Sequence, residues 1–241
     1  MIDAVKLDIS EVAGNFPAFR VALVVADALV IPAARPPMLE AFVEETATRV
    51  ARDLAGIELA DVAELRAWRQ AYRAFGVKKT SYRSSGERLL KNIQRGAGLP
   101  QVNALVDACN AISAFYRMPV GADDLDRVTP PLSFRYARPT DTFIALGDAA
   151  ATPDPPQAGE VVYADAEKCL CRRWNWYQDG RSAIASHTTR AVLTVQTLAD
   201  NDSELQQASS HLAELIAEFS GGGPRWAIAC AAAPLVAVST T

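Results

Sequence analysis

A near-continuous apolar run, FRVALVVADALVIPAARPP over residues 19–37, most constrains how this chain can fold. A valine-rich run without polar alternation is typical of a strand that is covered on both faces, and the closing prolines end it. The next segment predicts an amphipathic helix, because its apolar residues recur every three or four positions. These residues are Leu39, Phe42, Val43, Val50 and Leu54. A buried strand followed by such a helix predicts a sheet that helices cover.

Helical and strand-like patterns continue in separate blocks along the chain. Three more segments have helical spacing, namely 59–76, 99–117 and the one that begins near Ser203. Two alternating segments joined by RPTD predict a hairpin, 132–138 with 142–147. The other strand-like segments are 160–165, 168–174 and 191–198. We therefore predict a mixed α/β (α+β) fold, a single domain whose largely antiparallel or mixed central sheet is flanked by helices.

Composition bears on the compartment and on metal binding. No apolar run reaches the roughly 20 residues that cross a bilayer, and the first residues lack the pattern of an export signal, so we expect a cytoplasmic protein without membrane partners. Four irregularly spaced cysteines suit a reducing compartment. Cys169 and Cys171 would share a strand face, but zinc needs about four ligands and no second Cys/His pair stands nearby. We expect no metal and no cofactor.

Basic residues concentrate between Arg66 and Arg95. This window contains nine basic residues and one acid, Glu87, so its net charge is +8 while the rest of the chain carries −12. Such asymmetry is typical of a surface that faces phosphate groups, although a solvated helix face has the same composition. The candidates for phosphate contact are Arg66, Arg69, Arg73, Lys78, Lys79 and Arg83, with Tyr82 among them as a base-stacking candidate.

The helix predicted over residues 99–117 carries an unusual polar stripe. Asn103, Asp107 and Asn110 follow one another at four- and three-residue spacing beside the apolar face. Asn and Asp are poor helix formers, because their side chains compete for backbone hydrogen bonds. The stripe is therefore either a functional surface or a solvated flank of the helix.

The segment LCRRWNWYQDG, residues 170–180, combines aromatic and basic residues. In a strand, Arg172, Trp174 and Trp176 would share one face, while Arg173 and Asn175 would share the other. This arrangement suits a pocket wall in which indoles hold a flat group and arginines reach a phosphate. Core tryptophans with arginines extending to water would have the same pattern.

The absence of several motifs with a fixed spacing argues against the enzyme classes that depend on them. The phosphate-loop, dinucleotide-binding, zincin and GxSxG motifs are absent from the sequence, so any chemistry rests on dispersed polar residues. The acidic candidates are Asp107, Asp123, Asp124, Asp126, Glu160 and Asp165.

Three blocks, AWRQAYRAFGVKKTSYRSS, LPQVNALVDACNAISAFYRMPVGADDLD and GEVVYADAEKCLCRRWNW, together resemble the B3/B4 editing domain of the phenylalanyl-tRNA synthetase β subunit. The resemblance extends to freestanding proteins built from that domain and covers roughly residues 15–220. It implies a N-terminal segment at 1–14, the domain at 15–220 and a glycine-rich break with an apolar tail at 221–241. Its most specific part is the spacing of Asn103, Val106, Asp107, Asn110, Pro119 and Asp124.

The resemblance implies a hydrolase that removes amino acids from mischarged tRNA in trans. Its partner would be the acceptor end of tRNA, not DNA. Two features depart from the family pattern: Gly121 stands where the synthetase domain has a histidine, and the glycine-rich IMGG segment is absent.

Site residues follow from the resemblance together with the residue chemistry. Water attack on an activated ester requires a positioned water, a polarised carbonyl and a held amino acid, without metal or covalent nucleophile. The catalytic candidates are Asp124, Asp107 and Asn110. The substrate-binding candidates are Asn103, Gly121, Glu160, Trp174, Asn175, Trp176 and Thr188. Arg172 and Arg173 join the tRNA-binding candidates.

Two other functions remain open at this stage. A module that kept the fold after losing the histidine would bind tRNA or an amino acid without turnover. A small-molecule ester or amide hydrolase would turn over substrate without binding RNA, and its ligand affinity would show no strong salt dependence.

Overall fold

A computed structural model describes residues 4–79, 81–148, 150–199 and 202–240. Within these residues the chain contains six helices and ten strands. The helices are α1 (Ser10–Ala13), α2 (Pro37–Asp53), α3 (Ala63–Ala74), α4 (Ser85–Gln94), α5 (Ala104–Tyr116) and α6 (Asp202–Ser220). The strands are β1 (Ala4–Asp8), β2 (Arg20–Ala26), β3 (Val120–Asp124), β4 (Leu132–Tyr136), β5 (Val161–Ala164), β6 (Cys169–Arg172), β7 (Tyr177–Gln178), β8 (Ala191–Thr197), β9 (Arg225–Ala229) and β10 (Leu235–Ser239).

The described strands form two sheets. The six-stranded sheet has the order β10-β1-β4-β5-β6-β7 and is mixed, because β1 pairs in parallel with β4. The four-stranded sheet has the order β3-β8-β2-β9 and is antiparallel. The predicted mixed α+β fold is confirmed, with the strands divided between two sheets.

Strand β2 lies between β8 and β9 and is buried on both faces, as its sequence predicts. Val21, Leu23 and Val25 pack between the two sheets, in the cluster that contains β1, β4 and Trp68 of α3. The alternate residues of β2 pack against α2, α5 and α6 on the outer face of the four-stranded sheet. Burial on both faces explains the continuous apolar run, since neither face meets water.

Two of the helices, α4 and α5, begin at residues whose side chains cap them. Ser84 accepts a hydrogen bond from the backbone of Glu87 at the start of α4, and Asn103 accepts one from Val106 at the start of α5. Both side chains satisfy backbone donors that the first helical turn leaves unpaired. The caps fix where α4 and α5 begin relative to the sheet edge.

The predicted hairpin of residues 132–138 with 142–147 is wrong. Strand β4 pairs with β5 instead, and residues 142–147 contribute only isolated bridges, such as Ile144 with Pro153. The ring of Phe134 stacks on Tyr163 of β5 with centroids 4.7 Å apart. Alternation predicts a strand but not its partner, and here long-range aromatic packing accompanies the observed pairing.

The apolar tail forms two strands. Strand β9 extends the four-stranded sheet beside β2, and β10 extends the six-stranded sheet beside β1. Strands β9 and β10 are therefore edge strands, one in each sheet. No helix in the described part of the chain is both long and apolar enough to span a membrane.

Candidate functional site

A cavity of about 490 Å³ lies beside the four-stranded sheet, where β3 and β8 face α4, α5 and the β6–β7 segment. One face of α4 lines it through Ser85, Arg88, Leu89 and Asn92, which recur at helical spacing. Of the residues predicted for a site, four line the cavity: Asn110, Gly121, Asn175 and Trp176. Among the other described residues that line it are Asp123, Tyr163, Tyr177, Gln178, Thr194 and Gln196.

A chain of hydrogen bonds runs from the core to the cavity wall. The Tyr72 hydroxyl donates to Asn175 Oδ1 at 2.8 Å, and Asn175 Nδ2 donates to Gln196 Oε1 at 3.1 Å. Gln196 Nε2 in turn donates to Thr194 Oγ1 at 3.0 Å. Because Thr194 accepts this bond, its own hydroxyl proton can be donated to a group inside the cavity.

Gly121 leaves space next to this hydroxyl. A Cβ atom at position 121 would lie 3.1 Å from Thr194 Oγ1, so even a methyl group would crowd the wall. Gly121 and Thr194 are directly paired in the sheet. Gly121 therefore lines the cavity without a side chain that would crowd the Thr194 hydroxyl.

The carboxyl group of Asp123 is the buried acid of the cavity. Its side chain accepts hydrogen bonds from Ser182 Oγ at 2.7 Å and Gln178 Nε2 at 3.0 Å, and the residue is only 3% exposed. Burial raises the pKa of Asp123 to about 7, against the lowering effect of these hydrogen bonds and of the Lys168 charge. The group therefore exchanges a proton near neutral pH, which suits an acid–base or ammonium-binding role.

The neighbouring acid, Asp124, has a different position. Its carboxylate accepts hydrogen bonds from the hydroxyl of Thr188 at 2.8 Å and from the backbone of Asp126 at 3.1 Å. Among the described residues, neither Asp124 nor Thr188 belongs to the cavity lining. These contacts give Asp124 a supporting role in the turn that follows β3.

Asn103 and Asp107 also support the wall and lie outside the lining that the described residues form. Asn103 caps α5, and Asp107 forms a buried ion pair with Arg35 at 2.8 Å. Asp107 accepts a further hydrogen bond from the backbone of Val102, a lining residue. The polar stripe predicted on this helix is thus split between support, by Asn103 and Asp107, and cavity lining, by Asn110.

The predicted strand over residues 168–174 ends earlier in the structure, so the shared faces expected for residues 172–176 are wrong. Strand β6 ends at Arg172, and the next two residues, Arg173 and Trp174, have positive φ angles of 46° and 68°. The chain turns there, so Trp174 is fully buried against Phe19 and other core rings, whereas Trp176 lines the cavity. The two tryptophans therefore divide between a core role and a site role.

Glu160 holds the two arginines of this segment. Its carboxylate bonds Arg172 at 2.7 Å and Arg173 at 3.3 Å. The Arg173 guanidinium also packs against two rings, 3.9 Å from the centroid of Tyr82 and 4.6 Å from that of Trp176. All three charged groups are buried, so this cluster fixes the aromatic wall rather than presenting free charge.

The basic segment divides into paired and exposed groups. Arg69 and Arg83 both bond Glu87, at 2.6 and 3.0 Å. Exposed residues of the segment are Arg66, Arg73, Lys78, Lys79, Arg88, Lys91 and Arg95. The phosphate-facing surface predicted from the sequence thus rests on these exposed side chains.

Two cysteine thiols line the cavity without being suited to nucleophilic attack. Burial raises the pKa of the Cys109 thiol to about 12 and raises that of Cys171 further. Both stay protonated at neutral pH, and the thiolate is the nucleophilic form. Within the described residues, no three His, Cys, Asp or Glu side chains cluster in a way that could hold a metal ion.

Sequence reasoning missed Thr194, Gln196 and Arg88 as site residues, and it considered Asp123 without selecting it. Thr194 and Gln196 alternate within the otherwise apolar segment AVLTVQTL, so they share one face of β8. Polar residues two apart in a buried strand were the signal that could have identified them. The sequence does not distinguish Asp123 in this way. Asp124 follows it directly, so the alternation of polar and apolar residues does not show which of the two acids faces the cavity.

Comparison with known proteins gives one family and a distant structural likeness. A model described as the B3/4 domain matches residues 67–221, a range that includes every residue lining the cavity. No curated protein matches the chain. An N-terminal fragment of the phenylalanyl-tRNA synthetase beta-subunit from Pyrococcus horikoshii is similar in structure, with 12% identity and a TM-score of 0.48. That match covers 92% of this chain and 50% of the fragment, so this chain spans about half the fragment's length.

Proposed function

From the premise that this chain belongs to the B3/4 domain family, we propose that it is a trans-acting hydrolase that deacylates mischarged aminoacyl-tRNA. The observation that carries the proposal is the cavity of about 490 Å³ in the matched region, with the buried carboxyl of Asp123 in its wall. A cavity of this size accommodates an aminoacyl group with part of a ribose. An acid with a pKa near 7 is suited to neutral-pH ester chemistry.

The reaction needs only water and the ester. Water adds to the carbonyl carbon, the bond to the ribose oxygen breaks, and the products are the free amino acid and the tRNA hydroxyl. Ionised Asp123 binds the α-ammonium group and orients the water. The hydroxyl of Thr194, held by Gln196, donates to the carbonyl oxygen as negative charge develops there.

Gly121 contributes by leaving room. In this proposal the space beside Thr194 holds either the attacking water or the substrate side chain. No imidazole is needed, because the ester is already activated and Asp123 performs the orienting role. Asp124, Asp107 and Asn103 act as positioning residues, while Asn110 and Asn175 contact the substrate.

The nucleic-acid part of the substrate meets the exposed surface. Trp176 in the wall and Tyr82 beside it offer ring faces to the terminal adenine, with ring centroids 4.8 Å apart. The exposed lysines and arginines of the basic segment contact the acceptor-stem phosphates. In this proposal the paired arginines do not contact phosphate, and they hold the neighbouring side chains in place. These are Arg69, Arg83, Arg172 and Arg173.

The test incubates the purified protein with a panel of cognate and mischarged aminoacyl-tRNAs and follows release of labelled amino acid. We expect selective release from one mischarged species and at least a hundredfold loss in Asp123→Asn. Asp126→Asn is the matched control, since this exposed acid lies three residues away outside the cavity lining formed by the described residues. The control should keep full activity.

Other outcomes identify the rival functions. Binding of tRNA without release above the spontaneous rate, across the whole panel, would make the protein a non-catalytic module and overturn the deacylase proposal. Release from small amino-acid esters, without salt-dependent tRNA binding, would point instead to a small-molecule hydrolase. Equal activity of the Asp123→Asn variant would remove Asp123 from the mechanism.

A further inference from the structure

We propose that Arg88, supported by Tyr177, is a phosphate-binding site in the lining of the cavity, and that it recognises the 5′-phosphate of the substrate's terminal nucleotide. The inference rests on the proposed function and names its substrate class more closely. The ligand would be an aminoacyl nucleotide, in which the amino acid and the phosphate are bound by different residues of the cavity lining.

Arg88 differs from the other arginines near the cavity in its charge environment. Arg69 and Arg83 are paired with Glu87, and Arg172 and Arg173 are paired with Glu160. Among the described residues, no carboxylate forms an ion pair with Arg88. Its positive charge is therefore available to an anionic ligand.

The guanidinium of Arg88 is held in place at the cavity. It donates a hydrogen bond to the backbone carbonyl of Trp176 at 3.2 Å and lies 5.2 Å from the ring centroid of Tyr177. A guanidinium has five N–H donors, so one bond to a carbonyl leaves donors for a two-pronged contact with phosphate. Such pre-positioning lowers the entropic cost of binding, since a free arginine must first lose rotamer freedom.

The cavity lining contains two groups of opposite charge that differ in exposure. Asp123 is 3% exposed, whereas Arg88 is exposed to solvent. An aminoacyl nucleotide carries a positive α-ammonium group on the amino acid and a negative phosphate on the nucleoside. The charges therefore favour one orientation, with the amino acid inside and the phosphate outside.

The experiment measures binding of two non-hydrolysable compounds by calorimetry. Both are 3′-deoxy-3′-(alanylamino)adenosine, with and without a 5′-phosphate, and the amide bond replaces the ester. The alanyl group is small, so side-chain specificity does not bias the comparison. At low salt, we expect the 5′-phosphate to tighten binding to the full chain about tenfold, the effect of one charge-assisted contact.

Substitutions on α4 separate this site from general charge attraction. Arg88→Ala should reduce the tenfold effect of the phosphate to less than twofold, and Arg88→Lys should keep part of it. Lys91→Ala removes the same charge from the same helix outside the lining of the described residues, and it should keep the full ratio. Unchanged ratios in Arg88→Ala, or failure of both compounds to bind, would overturn the inference.

The result is distinguishable from the outcome of the deacylation test. A phosphate effect lost in Arg88→Ala, together with an absence of tRNA deacylation, would retain the phosphate site and overturn only the enzymatic proposal. Deacylation with an unchanged phosphate ratio in Arg88→Ala would retain the enzyme and overturn only the phosphate site.

Discussion

Two adjacent aspartates of β3 have different chemistry because their side chains lie in different surroundings. The carboxyl of Asp123 lines the cavity and is bonded by Ser182 and Gln178. The carboxylate of Asp124 accepts from Thr188 and from the next turn, outside the lining formed by the described residues. Successive residues of a strand point to opposite faces. Asp123 therefore faces the cavity, whereas the next residue, Asp124, faces the turn that it stabilises.

The raised pKa of Asp123 makes the stability of the protein depend on pH. With a folded-state pKa of about 7, the folded protein keeps this proton where the unfolded chain has released it. The contribution of this group is therefore complete below about pH 4 and is lost as pH rises through about 7. In Asp123→Asn, which keeps an acceptor for Ser182 and Gln178, this loss is absent.

We expect the free energy of unfolding of Asp123→Asn, relative to the unsubstituted protein, to rise between pH 5 and pH 8 by about 2.5 kcal/mol. Urea denaturation at the two pH values measures this difference. Asp126→Asn, at an exposed acid, should show the same difference at both pH values. A pH-independent difference for Asp123→Asn would mean that the buried carboxyl titrates in the ordinary range.

At the scale of elements, the connection from α6 to β9 depends on a particular glycine. Gly222 has a φ angle of +77°, and a Cβ atom there would lie 2.4 Å from the backbone oxygen of Asp27. Nearby, Leu29 and Gly221 form a bridge that joins the end of α6 to the loop after β2. The close approach of two backbones allows β9 to reach its place beside β2.

Gly222→Ala should therefore destabilise the protein by about 2 kcal/mol or more, since it adds both a strained φ angle and a backbone clash. Gly223→Ala is the control, because a Cβ atom at Gly223 would meet nothing within 4 Å. Thermal unfolding of the two variants should give a lower Tm for the first and little change for the second. Equal Tm values would contradict this account of the connection.

At the scale of the whole molecule, positive charge is concentrated in residues 66–95, although the formal net charge of the protein is −4. The exposed basic residues of segment 66–95 lie on α3, α4 and the segments that adjoin them. Glu87 neutralises part of the same region from within, through its ion pairs with Arg69 and Arg83. Binding of tRNA would therefore depend on local surface charge, not on net charge.

For tRNA binding we expect a strong dependence on salt concentration. The logarithm of the association constant should fall with the logarithm of salt concentration, with a slope no steeper than about −6 for seven exposed basic residues. Joint replacement of Lys78 and Lys79 by alanine should make the slope shallower by about 2. Joint replacement of Arg49 and Arg52 on α2, also exposed, should leave it unchanged. Equal slopes for the two double variants would place the RNA elsewhere.

The sequence alone determined the local elements and the family pattern. Periodicity identified β2, α3 and α5, because a buried face imposes its spacing on nearby residues of one segment. Three sequence blocks, of which the spacing from Asn103 to Asp124 is the most specific part, indicated the family that the match over residues 67–221 shows. Such features are local, so they can be read without knowledge of distant contacts.

The tertiary structure decided which residues meet. It paired β4 with β5, turned the chain after Arg172 so that Trp174 entered the core, and brought Asp123, Thr194 and Arg88 to one cavity. These outcomes depend on pairings between segments far apart in the chain, and the strand period does not specify the partner. The charge of an arginine is visible in the sequence, but whether an acid neutralises it depends on the folded chain.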